Sequence, residues 1–214
     1  MLFNESHAIE FAGKLLNIGS IKLRPDDPFT WASGWRSPIY CDNRLTLSYP
    51  DVRSWIKQRL ADGIKEQFSD ADIIAGVATA GIPHGALVAD VLNKPFIYVR
   101  SEAKKHGLSN QIEGKLEAGK KVVVIEDLLS TGGSSLTAVH ALRNSGAEVK
   151  GLVALFTYAF DIAQNAFDDA GCTFYTISDY PSLINYALQN NLIDSKTKLL
   201  LEEWRKNPDV WMRD

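Results

Sequence analysis

The sequence predicts an α/β fold with a central parallel sheet flanked by helices and a small appended N-terminal lobe. Apolar, largely β-branched runs alternate along the chain with segments of helical periodicity, which is typical of parallel sheets. Two of these runs, residues 73–76 and 121–125, pass directly into glycine-bearing turns that lead into helices. Ligands of open α/β sheets bind at such strand ends, so both turns are candidate sites.

The elements follow in order from periodicity and turn residues. Residues 6–18 carry apolar side chains at helical spacing and stop at Gly19, which predicts a capped helix. The short strand signals that follow do not fit the alternation, and we call this region, up to residue 49, the hood. A last helix, docked on the core, is expected within 195–214 from the spacing of Leu199, Leu200 and Trp204. Between them the pattern predicts helices at 50–67, 83–92, 134–144 and 161–170, and strands at 73–76, 95–99, 121–125, 149–157 and 173–177.

Composition restricts the class of function. The chain has 214 residues, 45% of them hydrophobic, which is enough for one sizeable core. It has 23 basic and 26 acidic residues and no basic block, so neither a nucleic acid nor a membrane surface is an expected partner. The N-terminus lacks a signal-peptide pattern, so we expect a cytoplasmic protein. Cys41 and Cys172 lie far apart without metal-ligand neighbours, which favours free thiols.

The run 122–135 ends a buried strand in two acids, Glu126 and Asp127, followed by a Ser/Thr/Gly loop and a helix. Free N–H groups of such a loop suit a phosphate, whereas carboxylates repel it. A ribose phosphate satisfies both features, because carboxylates accept hydrogen bonds from the ribose hydroxyls. The P-loop lysine and the dinucleotide Gly-x-Gly-x-x-Gly pattern are both missing. The alternative is an ordinary strand–helix turn with solvated acids.

Two further segments suggest contacts with anions. Residues 98–114 gather Arg100, Lys104, Lys105 and His106 in a long polar connection, which indicates either a cationic lid or a solvated charged turn. Residues 73–85 form a second small-residue turn that could approach an anion, or could serve helix–sheet packing alone. His84 in this segment is interpreted as a helix-start residue rather than a catalyst.

The hood segment 28–44 combines aromatic side chains with two arginines. Its aromatic residues, a Ser-Gly turn and the arginines could form a pocket for a flat anionic ring by stacking and charge-assisted hydrogen bonds. The aromatic and basic residues are Phe29, Trp31, Trp35, Tyr40, Arg36 and Arg44. A packed β-meander is the alternative.

Together, these segments resemble the type I phosphoribosyltransferases over residues 29–158, and the hood and the 100–106 loop resemble the members of that family that use orotate. The resemblance implies the type I phosphoribosyltransferase fold and the transfer of a phosphoribosyl group from phosphoribosyl pyrophosphate (PRPP) to orotate, which gives orotidine 5′-phosphate in pyrimidine synthesis. It implies Mg²⁺ held mainly through the substrate, with no protein metal ligand, and a homodimer that shares its active sites. It also divides the chain into the helix and hood (1–49), the PRPP-binding core (50–180) and a C-terminal helical segment (181–214).

Residue roles follow from the same resemblance. Asp127, Lys104 and His106 are the expected catalytic residues; Lys104, His106 and Arg100 lie in a loop that closes over pyrophosphate in the neighbouring subunit. The 77–81 turn also contacts pyrophosphate. The expected PRPP contacts are Arg100, Lys104, His106, Glu126, Asp127, Leu128, Leu129, Ser130, Thr131, Gly132, Gly133 and Ser134. Those expected for orotate are Ser130, Arg36 and Arg44.

The chain departs from the pattern of these relatives at Ala32, Ala80 and Ser101, where many have lysine. These differences affect how substrate anions are held. Two other functions stay open, a phosphoribosyltransferase for another base and a non-catalytic regulator that senses PRPP.

Overall fold

A computed structural model describes residues 1–101 and 111–211 of the chain. The N-terminal part begins with helix α1 (Glu5–Asn17), whose first turn is capped by the Asn4 side chain accepting from the His7 N–H. The hood follows, with two short antiparallel pairs and a 3₁₀ helix at Asn43–Ser48. Its strands are β1 (Ile21–Leu23), β2 (Phe29–Thr30), β3 (Arg36–Ser37) and β4 (Ile39–Cys41).

The core alternates strands and helices, as predicted. It consists of α2 (Pro50–Gln67), β5 (Ile73–Val77), α3 (Gly81–Leu92), β6 (Phe96–Val99), β7 (Ile112–Glu113), β8 (Lys121–Leu129), α4 (Gly133–Asn144), β9 (Glu148–Thr157), α5 (Asp161–Asp169) and β10 (Phe174–Asp179). Within the described residues the sheet has six strands in the order β10-β9-β8-β5-β6-β7. All neighbours are parallel except β7, an antiparallel edge strand that the sequence analysis did not predict.

Strand β8 shows why the sheet lies between two layers of helices. Val122 and Val124 join a core with Leu142 of α4, whereas Val123 and Ile125 join a second core on the opposite face, with helices α1, α2 and α3. Successive side chains of a strand point to opposite faces, so a strand covered on both sides is apolar throughout. Each of these fully buried side chains stabilises the fold by about 1.5–3 kcal/mol.

Helices α6 (Tyr180–Gln189) and α7 (Ser195–Lys206) form the C-terminal segment. The docked helix was expected to use Leu199, Leu200 and Trp204. Leu201 and Trp204 are buried, but Leu199 is 67% exposed, so its predicted role in docking is wrong. Trp204 is fixed by its indole N–H, which donates to the Arg36 carbonyl at 3.1 Å and ties α7 to the hood.

Across residues 1–101 and 111–211, none of the helices has both the length and the apolar character needed to cross a bilayer.

Candidate active site

The two acidic residues lie where strand β8 loses one of its neighbours. Pairing with β5 stops at Ile125, opposite Gly76, whereas pairing with β9 continues to Leu129. The sequence analysis ended the strand at Ile125, but the long partner β9 extends the ladder past both acids. Glu126 and Asp127 therefore belong to a strand end that is fixed on one side and open on the other.

Both carboxyl groups lie where ionisation is electrostatically unfavourable. Glu126 is 5% exposed and accepts hydrogen bonds from Ser135 Oγ and from the Asp127 N–H, both at 3.0 Å. Burial raises the pKa of Glu126 well above its usual value, and the neighbouring Asp127 charge adds to this shift. Burial also raises the pKa of Asp127. A ligand that brings hydroxyl donors or a cation would relieve this cost, so the pair is suited to bind one.

The loop Ser130–Gly132 leads from β8 into helix α4. Gly132 has a φ of 85°, in the left-handed region that favours glycine, and a Cβ there would lie 2.9 Å from the Phe167 ring. Among the described residues no side chain caps the start of α4. The N–H groups of its first turn, which includes Gly133 and the exposed Ser134, are therefore available to a phosphate.

The other predicted PRPP contacts near this loop, residues 128–131, differ in which of their atoms a ligand could reach. Leu129 is fully buried in the core on the α4 side, so only its backbone can contact a ligand. Leu128 and Ser130 instead line a cavity under the hood. Thr131 is partly exposed in the loop between them and α4.

The turn between β5 and α3 passes directly beside the acids. A Cβ at Gly81 would overlap with the carbonyl oxygen of Ile125 and would lie 3.4 Å from the Glu126 Cα. Helix α3 also lacks a side-chain cap within the described chain, so a second helix N-terminus faces this strand end. His84 in its first turn is buried, and burial lowers its pKa to about 4, so the ring is neutral at pH 7 and supplies no charge.

Replacing Gly81 with alanine is expected to lower the free energy of unfolding by about 1–3 kcal/mol, because the new methyl group pushes the turn away from β8. The KM for PRPP, the substrate that the resemblance implies, should rise as well. Urea unfolding and steady-state kinetics would measure the two changes. Gly133→Ala is the matched stability control, because a Cβ there meets no atom within 4 Å. Wild-type stability of Gly81→Ala would show that the turn does not depend on this close contact.

A cavity of about 290 Å³ opens between the hood and the carboxyl end of the sheet. Of the four aromatic residues predicted for a ring pocket, Trp31 and Tyr40 are in its lining, as is Ser130, whereas Phe29 and Trp35 are not. The full lining is Thr30, Trp31, Ala32, Tyr40, Cys41, Leu128, Ser130 and Tyr158. Because Ser130 also belongs to the loop before α4, the cavity is continuous with this loop.

Sequence reasoning missed Tyr158 and Cys41. Tyr158 follows the last residue of β9, the strand beside β8, so the strand-end argument that selected the acids could have selected it as well. Cys41 had no comparable signal, because its place depends on how the hood folds over the sheet.

The three predicted arginines lie around this site rather than in the cavity lining. Arg36 Nη1 donates to Thr30 Oγ1 at 3.1 Å, so it is one residue from the cavity. Arg44 holds Asp42 in a bidentate pair, with distances of 2.6 and 2.8 Å, and its side chain is 64% exposed. Arg100 forms an ion pair with Glu113 at 3.5 Å. Lys104 and His106 lie outside the described residues.

Asn43 connects the hood to the strand end, a contact that the sequence analysis did not foresee. Its Nδ2 donates to the Asp127 carbonyl at 2.6 Å, and its Oδ1 accepts from the Cys41 thiol at 3.3 Å. The residue is 1% exposed, so both bonds are shielded from water. The amide thereby fixes the backbone that carries Asp127 relative to the cavity wall.

Among residues 1–101 and 111–211 no cluster of three or more His, Cys, Asp or Glu side chains has the arrangement of a metal site. Glu126 and Asp127 nonetheless have the oxygen ligands that Mg²⁺ prefers, and their raised pKa values would be offset by a nearby cation.

Comparison with known proteins identifies the family. The family model of the phosphoribosyl transferase domain matches residues 44–187. The orotate phosphoribosyltransferase of Bacteroides fragilis is 56% identical over 201 residues, which are 94% of this chain and 95% of the relative. That of Listeria innocua is 54% identical over 202 residues, 94% of this chain and 97% of the relative.

A solved structure agrees with these relatives. The crystal structure of orotate phosphoribosyltransferase from Aeropyrum pernix matches with a TM-score of 0.75 at 27% identity, over 86% of this chain and 99% of that chain. The predicted type I phosphoribosyltransferase fold is thus confirmed. The chain belongs to the phosphoribosyltransferase family and, within it, to the orotate phosphoribosyltransferases.

Proposed function

We propose that this pentosyltransferase moves the phosphoribosyl group from PRPP to orotate at the junction of the hood cavity and the β8 strand end, giving orotidine 5′-phosphate and pyrophosphate. The observation that carries the proposal is the place of Ser130, which lines the hood cavity beside three aromatic side chains and starts the loop into α4. A base in the cavity and a 5-phosphate on the loop would then be joined by the ribose. In this proposal the ribose lies beside Glu126 and Asp127, which directly precede Leu128 in strand β8.

In this arrangement each part of PRPP has a partner. The carboxylates of Glu126 and Asp127 accept hydrogen bonds from the ribose hydroxyls, and backbone N–H groups of residues 130–134 hold the 5-phosphate. The turn at 77–81 is close enough to Glu126 to contact the pyrophosphate beside the ribose. The predicted contacts from Arg100, Lys104 and His106 would close over the same group.

The chemistry needs no covalent nucleophile. As the bond between the ribose carbon and pyrophosphate breaks, positive charge develops on the sugar ring. Two carboxylates beside the ring would stabilise this charge. The charge would in turn offset the cost of keeping those carboxylates ionised where burial raises their pKa values. Bound Mg²⁺ would supply positive charge to the leaving pyrophosphate, and we propose that it is held mainly by substrate oxygens next to these carboxylates. A closing loop would exclude water, which otherwise hydrolyses the activated sugar.

Two cations are candidates for the carboxylate of orotate. Arg36 is the better placed, because its guanidinium already contacts Thr30 in the cavity lining. Arg44 would first have to release Asp42. In the part of the chain that the structure describes, the lining itself contains no charged side chain, and Ala32 stands where many relatives have lysine.

The proposal is tested by a screen of free bases with PRPP and Mg²⁺, followed by absorbance. We expect orotate to be consumed and uracil, hypoxanthine and adenine to be inert, because the relatives at 52–56% identity are orotate phosphoribosyltransferases and Arg36 lies beside the cavity, where it could pair with the carboxylate of orotate. Turnover of a purine with orotate inert would assign the chain to another base. PRPP binding without turnover of any base would instead indicate a sensor.

A further inference from the structure

The hydroxyl group of Tyr158 has no partner in the part of the chain that the structure describes. The residue is 2% exposed, yet its hydroxyl makes no hydrogen bond to any described residue. Tyr158 lines the hood cavity, and the hydroxyl oxygen is not among the sealed polar atoms of the core. With respect to residues 1–101 and 111–211, this group is therefore open toward the cavity.

Buried phenols normally find a partner inside the protein. Tyr180, packed on the same Trp204 side chain, follows this rule, because its hydroxyl donates to the Leu201 carbonyl at 3.0 Å. The Tyr158 hydroxyl, which none of the described residues pairs, is thus an exception, and a ligand atom could be its partner.

The Tyr158 ring cannot turn away to find another partner. Ring centroids of Trp31, Phe160 and Trp204 lie 5.0, 5.4 and 6.0 Å from its own, on several sides. Its backbone N–H donates to the Leu129 carbonyl at 3.1 Å, which ties it to the end of β8. Burial raises the pKa of the Tyr158 phenol well above its usual value, so the hydroxyl remains protonated and acts as a donor.

We propose that Tyr158 is a specificity-determining residue whose hydroxyl donates a hydrogen bond to an oxygen acceptor on the bound pyrimidine, a ring carbonyl or the carboxylate. The inference rests on the proposed orotate site and adds a residue to it. Three other lining residues have no free hydrogen-bond donor for the base. The indole N–H of Trp31 already donates to the Ile39 carbonyl, and Ala32 and Leu128 have aliphatic side chains. A preorganised donor in such a cavity favours a base with an oxygen at the matching position over one without it.

Tyr158→Phe tests this proposal with little disturbance of the fold, because it removes only the unpaired oxygen. The KM for orotate should rise about tenfold or more, while the KM for PRPP, kcat and the melting temperature stay close to those of the wild type. Tyr180→Phe is the matched control. It loses a real hydrogen bond and should melt at a lower temperature with an unchanged KM for orotate.

The outcomes separate this inference from the function on which it rests. An unchanged KM for orotate in Tyr158→Phe, with an active wild type, overturns the role of Tyr158 and leaves the proposed function intact. A lower melting temperature with both KM values raised assigns the hydroxyl a structural role and also overturns the proposal. A wild-type protein that does not consume orotate removes the proposed function itself.

Discussion

Replacing Asp127 with asparagine is expected to lower kcat by about a hundredfold or more, which corresponds to roughly 3 kcal/mol of transition-state stabilisation. The carboxylate lies half-buried at the open edge of β8, next to Glu126, and its backbone is fixed by Asn43 at 2.6 Å. An amide of the same shape keeps this geometry. It removes the negative charge that would stabilise the positive charge developing on the ribose. Steady-state kinetics with saturating orotate and PRPP would measure the change.

The same substitution should not destabilise the protein. Burial raises the pKa of Asp127 in the folded chain. The stabilising contribution of such a group is present below its unfolded pKa and is lost as the pH rises through the folded pKa, so above the folded pKa the ionised carboxylate opposes folding. Asp127→Asn should therefore melt at the wild-type temperature or above it at pH 7.

Asp72→Asn is the control for this pair of measurements. Asp72 accepts a hydrogen bond of 2.9 Å from the N–H of Lys121, the first residue of β8, at the end of the strand opposite to Asp127. Its replacement by asparagine therefore removes an equal charge far from the site. Its kcat should be that of the wild type. A wild-type kcat in Asp127→Asn would show that Asp127 is a strand-end residue without a catalytic role.

Mixing two inactive variants is expected to restore about a quarter of the wild-type activity. The prediction concerns Lys104, which we propose acts in the active site of the neighbouring subunit of a homodimer. If one parent carries Lys104→Ala and the other Asp127→Asn, each hybrid dimer has one doubly altered site and one intact site. Random exchange makes half of the dimers hybrids, so one site in four is intact. Activity would be followed during exchange of equal amounts of the two proteins.

The control for this experiment is the degree of exchange, measured by mass spectrometry of isotope-labelled subunits. A loop that acts on its own chain would leave both sites of every hybrid singly altered. Complete exchange without recovery of activity would thus contradict a shared site.

The local sequence determined most of the core. Apolar runs such as 121–125 and 149–157 predicted strands buried on both faces, because a strand between two helical layers has no polar side. The order of strand, polar turn and helix then located Glu126, Asp127 and the 130–134 loop at one edge. These patterns depend on residues close in the chain, and local side-chain chemistry is sufficient to predict them.

Other features were decided only by the tertiary structure, because they depend on contacts between residues far apart in the chain. Strand β8 continues past Ile125 because β9 pairs with it to Leu129, and no local signal shows how long a neighbour extends. In the same way, Leu199 is exposed and Leu201 is buried because of how α7 packs against α6 and the hood, which its own periodicity does not define. The cavity needs the hood folded over the sheet, with Asn43 bonded to a backbone 84 positions away and Tyr158 placed opposite Trp31. The sequence by itself therefore determined the chemistry available for ribose and phosphate, and the packing of distant segments decided which side chains face the base.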